Sequence, residues 1–240
     1  MKLAFISDLH LSPDTPQNNQ LLFDLLKTWQ HSLDGLYILG DFFDYYLGDD
    51  DNNEFTLSIK KAFKEFTQYA PIYFLVGNHD FGLGKIFARE TGIKIIPDLS
   101  IIKIAGNTIL LSHGDTFCTL DIKYQRMKKI LQHPLLMYIL RKTPLSWRYK
   151  LKETLEKKSA GAFNSMPENT YHVVDSSIVG MALQYQANLV IHGHTHKPGR
   201  YLIKTDNLDI WRYEIPDWSD RTPGGYILLE NEDIQIINLV

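Results

Sequence analysis

The stretch Leu3-Ala4-Phe5-Ile6-Ser7-Asp8-Leu9-His10 places a run of apolar residues directly before a carboxylate and an imidazole. The pattern returns twice in the first third of the chain, as Ile38-Leu39-Gly40-Asp41 and as Leu75-Val76-Gly77-Asn78. Short apolar runs that end in turn residues are typical of buried strands. Because helix-like segments separate the three runs, the sequence predicts a βαβ arrangement whose polar ends converge at one sheet edge, where open α/β folds bind ligands.

The remaining predicted elements follow from the same patterns. Helix-like segments are 19–30, 54–69, 83–91 and 173–186, and further strand-like runs are 101–104, 108–112, 189–191, 210–215, 226–230 and 234–239. Ala105-Gly106-Asn107 predicts a hairpin between the first two of these runs. Residues 121–170 contain helix-like stretches broken near Pro134, Pro144 and Pro167. We therefore expect one α/β domain, 1–240, with a helical insertion at 121–170.

Composition excludes several classes of protein. The 240 residues are 44% hydrophobic and 12% aromatic, which is typical of a globular chain and not of a disordered one. Cys118 is the one cysteine, so no internal disulfide is possible and a reducing compartment is favoured. The N-terminal apolar run is too short to predict a secretory signal. We also expect no membrane-spanning helix, because no stretch has about 18 uninterrupted apolar residues.

The charge of the chain is unevenly distributed. The net charge is −3, but residues 123–158 carry eleven Lys or Arg and two acids, a local balance of +9. A solvated helical hairpin would explain this segment. An interfacial helix on anionic lipid would explain it too, because cations frame the apolar residues of 130–140. The acidic remainder of the chain disfavours a nucleic-acid partner.

Residues with metal-ligating side chains follow five predicted strands. They are Asp8, His10, Asp41, Asn78, His113, His194 and His196. In an extended strand end, Asp8 and His10 would point to one side, and Asp41 can bridge two cations through its two oxygens. Mixed oxygen and nitrogen ligands suit Mn²⁺, Fe or Zn²⁺. A turn or a helix cap would explain any one of these motifs alone, but five strand ends together favour a metal site.

These motifs, in this order, resemble the signature of the calcineurin-like metallophosphoesterases. The matching segments are Asp8-x-His10, Gly40-Asp41-x-x-Asp44, Gly77-Asn78-His79-Asp80, His113 and Gly193-His194-x-His196. The resemblance implies a four-layer αββα sandwich and two metals joined by Asp41. One metal would be bound by Asp8, His10, Asp41 and His196, and the other by Asp41, Asn78, His113 and His194. Such a pair, about 3.5–4 Å apart, activates water and stabilises phosphoryl oxygens.

A narrower resemblance is carried by residues 37–44, 47–50, 80–92 and 113–119. These segments are similar to the UDP-2,3-diacylglucosamine pyrophosphatases of lipid A biosynthesis. The resemblance implies two Mn²⁺ and cleavage of the nucleotide lipid to UMP and 2,3-diacylglucosamine 1-phosphate. It implies a helical lid at 121–170. It also implies a peripheral location on the cytoplasmic face of the inner membrane of a Gram-negative bacterium, with no obligate protein partner.

Residue by residue, the resemblance gives catalytic roles to the seven metal ligands and to His79. It implies substrate binding by Asn78, His79, Asp121, Tyr124, Ser159, Asn164 and His194. Two positions depart from the family: Arg commonly stands where this chain has His79, and a lid Lys commonly stands near Met166-Pro167-Glu168. His79 could pair with Asp44 and protonate a leaving oxygen, whereas Arg could only donate hydrogen bonds.

Two alternatives stay open at this point. The first is another dinuclear-metal phosphodiesterase or nucleotide pyrophosphatase with a soluble substrate, which His79 and the absent lid Lys favour. The second is a noncatalytic membrane-docking or scaffolding protein that keeps its metals for structure. A panel of substrates separates the first alternative from the lipid hydrolase, and one measurement of turnover separates the second.

Overall fold

The computed structural model describes residues 1–104, 106–131, 133–163, 172–206, 208–219 and 224–239, with the main chain alone for Pro134 and 155–163. A six-stranded sheet is built from both ends of this chain. Its strands are β1 (Lys2–Ile6), β2 (Gly35–Leu39), β3 (Ile72–Leu75), β4 (Lys94–Ile96), β10 (Gly225–Glu230) and β11 (Asp233–Asn238). The spatial order is β11-β10-β1-β2-β3-β4. Strands β1 to β4 are parallel, and β10 and β11 pair antiparallel.

A second sheet has five strands from the second half of the chain. They are β5 (Ser100–Ile104), β6 (Asn107–Leu111), β7 (Leu189–His192), β8 (Gly199–Ile203) and β9 (Ile210–Glu214). Their order is β5-β6-β7-β9-β8, with β6, β7 and β9 parallel. The parallel strands of each sheet therefore end on one side, which is the side where functional residues are expected.

Helices cover the outer face of each sheet. The helices on the first sheet are α1 (Pro16–Trp29), α2 (Glu54–Phe66) and α3 (Lys85–Thr91), and α7 (Asp175–Gln184) covers the second sheet. The helical insertion consists of α4 (Ile122–Leu131), α5 (Pro134–Lys142) and α6 (Leu145–Phe163), after a short 3₁₀ turn at Asp115–Phe117. The predicted four layers, helix, sheet, sheet and helix, are confirmed.

The side chains of β1 alternate between two hydrophobic cores. Ala4 and Ile6 belong to the core under α1 and α2, whereas Leu3 and Phe5 belong to the core between the sheets. Successive side chains of a strand point to opposite faces. Because helices and the second sheet cover both faces, the strand is apolar throughout. The deciding run of the sequence is therefore a central strand buried on both sides.

Within the insertion, α5 and α6 begin at or directly after a proline, as the predicted breaks indicated. Pro134 is the first residue of α5, and Pro144 directly precedes α6. Proline suits the first turn of a helix because its missing N–H needs no partner there. The third predicted break, at Pro167, lies outside the described residues.

Candidate metal centre

The seven predicted ligands all follow the carboxyl ends of parallel strands. Asp8 and His10 follow β1, Asp41 follows β2, Asn78 follows β3, His113 follows β6, and His194 and His196 follow β7. The first three of these strands belong to one sheet and the last two to the other. The structure therefore gathers the residues at the junction of two sheets, whereas the sequence had indicated the edge of one. Their roles as ligands stay a prediction.

The main chain is left-handed at five of the seven predicted ligands. Positive φ angles occur at Asp8 (56°), His10 (47°), Asp41 (50°), His194 (78°) and His196 (54°). The prediction that Asp8 and His10 lie in an extended strand end is wrong, because β1 ends at Ile6. Non-glycine residues seldom adopt this conformation, and such strain concentrates at functional sites. These turns place side chains that are close in the sequence around one site.

Acceptor atoms face one another around His113. Its Nε2 lies 3.0 Å from Asn78 Oδ1, 3.2 Å from His194 Nδ1 and 3.4 Å from Asp41 Oδ2. Its Nδ1 donates to the carbonyl of Leu39 at 2.9 Å, so in the neutral ring Nε2 carries the lone pair. With His113 neutral and the proton of His194 on Nε2, these four atoms all carry lone pairs and repel one another unless a proton or a metal ion lies among them. The donor set therefore fits a metal.

The protonation of this cluster agrees with that inference. Burial opposes charge on His113, but the carboxylate of Asp41 outweighs burial and holds the pKa of His113 well above its usual 6.5. Burial also opposes the charge of Asp41, and the neighbouring His113 and His79 hold its pKa well below the usual range. The centre thus attracts positive charge, which is what a divalent cation supplies.

A second group of donors surrounds Asp8. Its Oδ2 accepts hydrogen bonds from Ser7 Oγ (2.6 Å) and from the main-chain N–H of His194 (2.8 Å). Its Oδ1 is buried and accepts no hydrogen bond from the described residues. His196 Nε2 lies 3.7 Å from that oxygen, and His10 lies beside His196 with ring centroids 5.8 Å apart. This buried oxygen fits a second cation.

Asp41 stands between the two groups. Its Oδ1 accepts the main-chain N–H of His79 at 2.8 Å, and its Oδ2 faces both His113 Nε2 (3.4 Å) and His79 Nε2 (3.9 Å). Oδ2 thus faces the donors around His113, and the bridge between two cations through the oxygens of Asp41 stays a prediction. Ligand atoms of Asp8, His10 and His196 lie within 4.8 Å of one another, as do those of Asp41, His113 and His194.

Two carboxylates, the buried Asp80 and the half-buried Asp98, hold loops that carry the ligands. Asp80 accepts main-chain N–H bonds from Phe42 and Phe43 at 3.2 and 3.0 Å, which fixes the loop after Asp41, and burial raises its pKa to about 7. Asp98 accepts from the N–H of His113 at 3.2 Å. Such supporting bonds orient metal ligands. Sequence reasoning missed Asp98 because it lies in no motif.

His79 contacts the main chain of Asp44. Its Nδ1 donates to the main-chain carbonyl of Asp44, and the Asp44 carboxylate lies 3.8 Å from Lys152 Nζ. His79 thus pairs with Asp44 as predicted, but through the main-chain carbonyl of Asp44 and not through its carboxylate. The ring packs edge-on against His10 at 4.8 Å and against Tyr45 at 4.4 Å. These contacts direct its Nε2 towards Asp41.

A cavity of about 270 Å³ connects the ligands to the helical insertion. Asn78 and His79 form its polar end. Its other lining residues are Tyr45, Leu47, Phe81, Tyr124, Met127, Lys128, Leu131, Leu140, Arg148, Leu151 and Lys152. The lining as a whole is mainly apolar, and Lys128, Arg148 and Lys152 of α4 and α6 border it as well. The cavity thus has a polar floor and an apolar wall.

The residues of the insertion that were predicted to contact substrate lie in different places. Tyr124 lines the cavity, and its hydroxyl donates to the Asp115 carboxylate. Asp121 instead accepts the N–H of Tyr124 at 2.8 Å, which is the geometry of a helix N-cap. Ser159 lies in α6, but its side chain is not described, and Asn164 lies outside the described residues.

Several cations of the insertion face inward and anchor its helices. Lys128 Nζ lies 2.8 Å from Asp115 Oδ1. Arg148 Nη1 donates to Asp50 Oδ1 and to the carbonyl of Leu47, both at 2.8 Å. These contacts join α4 and α6 to the two loops beside the ligands. Some of the cations of the insertion therefore bind carboxylates of the same chain and stabilise the fold.

Comparison with known proteins places the chain in a family. The profile of the calcineurin-like phosphoesterases matches residues 1–198. A UDP-2,3-diacylglucosamine hydrolase from Pseudomonas syringae pv. syringae is 36% identical over 231 residues, covering 96% of this chain and 92% of that protein. One from Vibrio vulnificus is 34% identical, covering 95% and 97%. The solved structure of an archaeal phosphodiesterase has a similar fold, with a TM-score of 0.52, 16% identity and full coverage of both chains.

The three comparisons agree with the fold and with the cluster of ligand-type residues. The matched region contains both donor groups, since His196 precedes the end of the profile at residue 198. The two relatives extend the match through the helical insertion to the C-terminal strands. The chain therefore belongs to the calcineurin-like phosphoesterase family and, within it, to the UDP-2,3-diacylglucosamine hydrolases.

Proposed function

We propose that this chain hydrolyses the pyrophosphate bond of UDP-2,3-diacylglucosamine, giving UMP and 2,3-diacylglucosamine 1-phosphate in lipid A biosynthesis. The observation that carries the proposal is the cavity with Asn78 and His79 at one end and the apolar residues of the insertion at the other. A diphosphate bonded to a diacylated sugar has the same two parts. The near full-length similarity to hydrolases with this substrate in their name supports the assignment.

The proposed cofactor is a pair of Mn²⁺ ions. One ion would be held by Asp8, His10, Asp41 and His196, and the other by Asp41, Asn78, His113 and His194. When bound, two such cations lower the pKa of water and neutralise charge on phosphoryl oxygens. The mixed donors also accept Fe or Zn²⁺.

The chain's own residues would bind and orient the substrate around this centre. His79 Nε2 projects from the loop after Asn78 towards the cavity, where a protonated ring would donate a hydrogen bond to a phosphate oxygen. Leu131, Leu140 and Leu151 line the cavity and would contact an acyl chain. The insertion would then act as a lid that excludes water from the reacting bond.

A peripheral contact with anionic lipid is also proposed. Leu135, Tyr138, Ile139 and Trp147 of the insertion are each at least half exposed. Cations lie beside them at Arg141 and Lys142. Exposed apolar side chains framed by cations are typical of surfaces that bind anionic membranes. Every helix in the part of the chain that the structure describes is too short or too polar to traverse a bilayer.

Release of UMP tests the substrate. Purified chain with Mn²⁺ and UDP-2,3-diacylglucosamine in mixed micelles should release UMP, and Asp41→Ala and Asn78→Ala should each lower turnover by more than about a hundredfold, since both occupy the centre. Asp24→Ala, on the exposed face of α1, is the control and should retain activity.

A panel of soluble substrates separates the alternative. His79, where the family commonly has Arg, favours a soluble nucleotide pyrophosphatase or phosphodiesterase. UDP-glucose, ADP-ribose and bis-p-nitrophenyl phosphate should be cleaved far more slowly than the lipid. Rapid cleavage of one of them with no UMP from the lipid would overturn the proposed substrate and leave the dinuclear centre intact.

A further inference from the structure

Strand β9 ends in a carboxylate that reaches the loop of two proposed ligands. Glu214 is fully buried, and its Oε1 accepts hydrogen bonds from the hydroxyl of Thr195 and from the N–H of Lys197, the latter at 2.9 Å. These two donors stand on either side of His196. One oxygen atom thus fixes the loop just before and just after that histidine.

The loop needs such support because of its backbone. After β7 the chain turns sharply, with φ of 78° at His194 and 54° at His196. Left-handed conformations at non-glycine residues cost about 1–3 kcal/mol each and persist only where surrounding contacts hold them. On the side of the first sheet, Asp8 Oδ2 accepts the N–H of His194. On the side of the second sheet, Glu214 supplies the corresponding contact.

Apart from these loop contacts, Glu214 lies in a strand whose neighbouring positions are packed in apolar cores. Ile210 and Tyr213 of the same strand belong to the apolar cores on its two faces. A buried carboxylate is costly there, and burial raises the pKa of Glu214 to about 7. Arg212 Nη1, at 3.6 Å from Oε2, offsets that cost only partly. A carboxylate at a position where its burial is costly indicates a role in the site.

We propose that Glu214 is a positioning residue that holds His194 and His196 in the geometry needed to bind metal. The inference deepens the proposed function, because it concerns the same centre. Through Thr195 and Lys197, Glu214 keeps His196 Nε2 close to Asp8 Oδ1, at 3.7 Å, and His194 Nδ1 close to His113 Nε2, at 3.2 Å. Loss of the carboxylate frees the loop and separates these donor pairs.

Substitutions at Glu214 separate hydrogen bonding from charge. Glu214→Gln retains an Oε1 acceptor for Thr195 and Lys197, whereas Glu214→Ala removes it. We expect Glu214→Gln to bind two equivalents of Mn²⁺ with an affinity within about threefold of wild type. Glu214→Ala should bind Mn²⁺ about 10–100-fold more weakly, the usual range for a group that supports metal ligands. Metal analysis after dialysis and titration monitored by electron paramagnetic resonance measure both quantities without turnover.

A matched control tests whether any lost loop carboxylate would have this effect. Asp49 accepts two main-chain N–H bonds, from Gly84 and Ile86, both at 2.9 Å, and neither donor is next to a proposed ligand in the sequence, unlike Thr195 and Lys197. Asp49→Ala should lower thermal stability in chelator but keep two equivalents of Mn²⁺. If Glu214→Ala also kept both equivalents at wild-type affinity, the positioning role would be wrong.

A milder variant covers the case in which Glu214→Ala does not fold. Thr195→Val removes one of the two donors and leaves the carboxylate in place, and it should weaken Mn²⁺ binding by about 3–10-fold. Unchanged affinity in Thr195→Val would then overturn the inference. The proposed substrate is judged separately: wild type that binds two Mn²⁺ but releases no UMP refutes the substrate and not the role of Glu214.

Discussion

Gly193 lets the main chain pass beside the carboxylate of Asp8. A Cβ atom at this glycine would lie 2.1 Å from Asp8 Oδ2 and 2.2 Å from Ser7 Oγ, far inside van der Waals contact. We expect Gly193→Ala to lower the free energy of unfolding by about 1–3 kcal/mol and to weaken Mn²⁺ binding. Denaturant unfolding and metal titration measure these effects.

The control for this substitution is a glycine with space around it. A Cβ at Gly180, inside α7, would meet no described atom within 4 Å. Gly180→Ala should raise stability by about 0.5–1 kcal/mol, because alanine loses less backbone entropy in a helix. Equal effects of the two substitutions would contradict the close approach at Gly193.

The role of His79, at a position where the family commonly has Arg, can be tested by substitution. If the ring serves as a hydrogen-bond donor to phosphate, His79→Arg should retain activity within about tenfold, whereas His79→Ala should lose about 10²-fold or more in kcat. Steady-state kinetics on the lipid substrate measure both variants. Full inactivation of His79→Arg would instead favour proton transfer by the imidazole.

At the scale of single residues, the sequence predicts the ligand types and misses their support. A carboxylate or imidazole after an apolar run is visible without a structure, as at Asp8 and His113. Left-handed backbone at Asp8 and His194 is not, because local sequence gives little sign of it outside glycine. The role of Glu214 cannot be predicted from the sequence for another reason. Its partners Thr195 and Lys197 become its neighbours only when β9 pairs with β7.

At the scale of elements, Arg148 joins the helical insertion to the rest of the fold. Its guanidinium is buried and donates to the carbonyls of Leu47 and Thr143 as well as to Asp50. Arg148→Met should cost about 1–3 kcal/mol by leaving those acceptors unpaired, and should raise KM for the lipid substrate. Limited proteolysis of the insertion and lipid kinetics provide the measurements.

The same anchor predicts a dependence on pH. The hydrogen bond from Arg148 lowers the pKa of Asp50 below its usual 3.8, so the folded state binds this proton less tightly than the unfolded state. The contribution of the pair is therefore complete above about pH 4 and is lost as pH falls through the lowered pKa. Asp50→Asn should abolish that part of the acid dependence, which thermal melts between pH 5 and 2.5 would record.

The elements that sequence reasoning missed are both strands with exposed residues. β4 has three residues, Lys94–Ile96, at the edge of the first sheet, and β8, Gly199–Ile203, is the edge of the second. β4 is short and both strands expose most of their residues, so no buried apolar run marked them, whereas the other two edge strands, β5 and β11, were predicted. Buried strands were predicted to within a few residues because burial leaves a strong local pattern, and in the insertion the breaks near Pro134 and Pro144 were predicted without helix bounds.

At the scale of the whole molecule, the exposed apolar side chains of the insertion predict binding to anionic membranes. Leu135→Glu combined with Ile139→Glu adds negative charge to this surface and should reduce co-sedimentation with phosphatidylglycerol vesicles by about tenfold or more. Leu183→Glu, on the exposed face of α7, is the matched control and should not change it. Equal binding of all three proteins would refute the membrane contact.

The order of the first sheet has a consequence during synthesis on the ribosome. β1 is made long before its neighbour β10, with Leu3 opposite Leu229. A nascent chain that ends before β9 contains every proposed ligand but lacks Glu214 and the strand that flanks β1. Domains of this kind fold as units once their pairing partners exist. Metal loading should therefore follow release of the finished chain, at a time when the cell's free divalent ions can compete for the site.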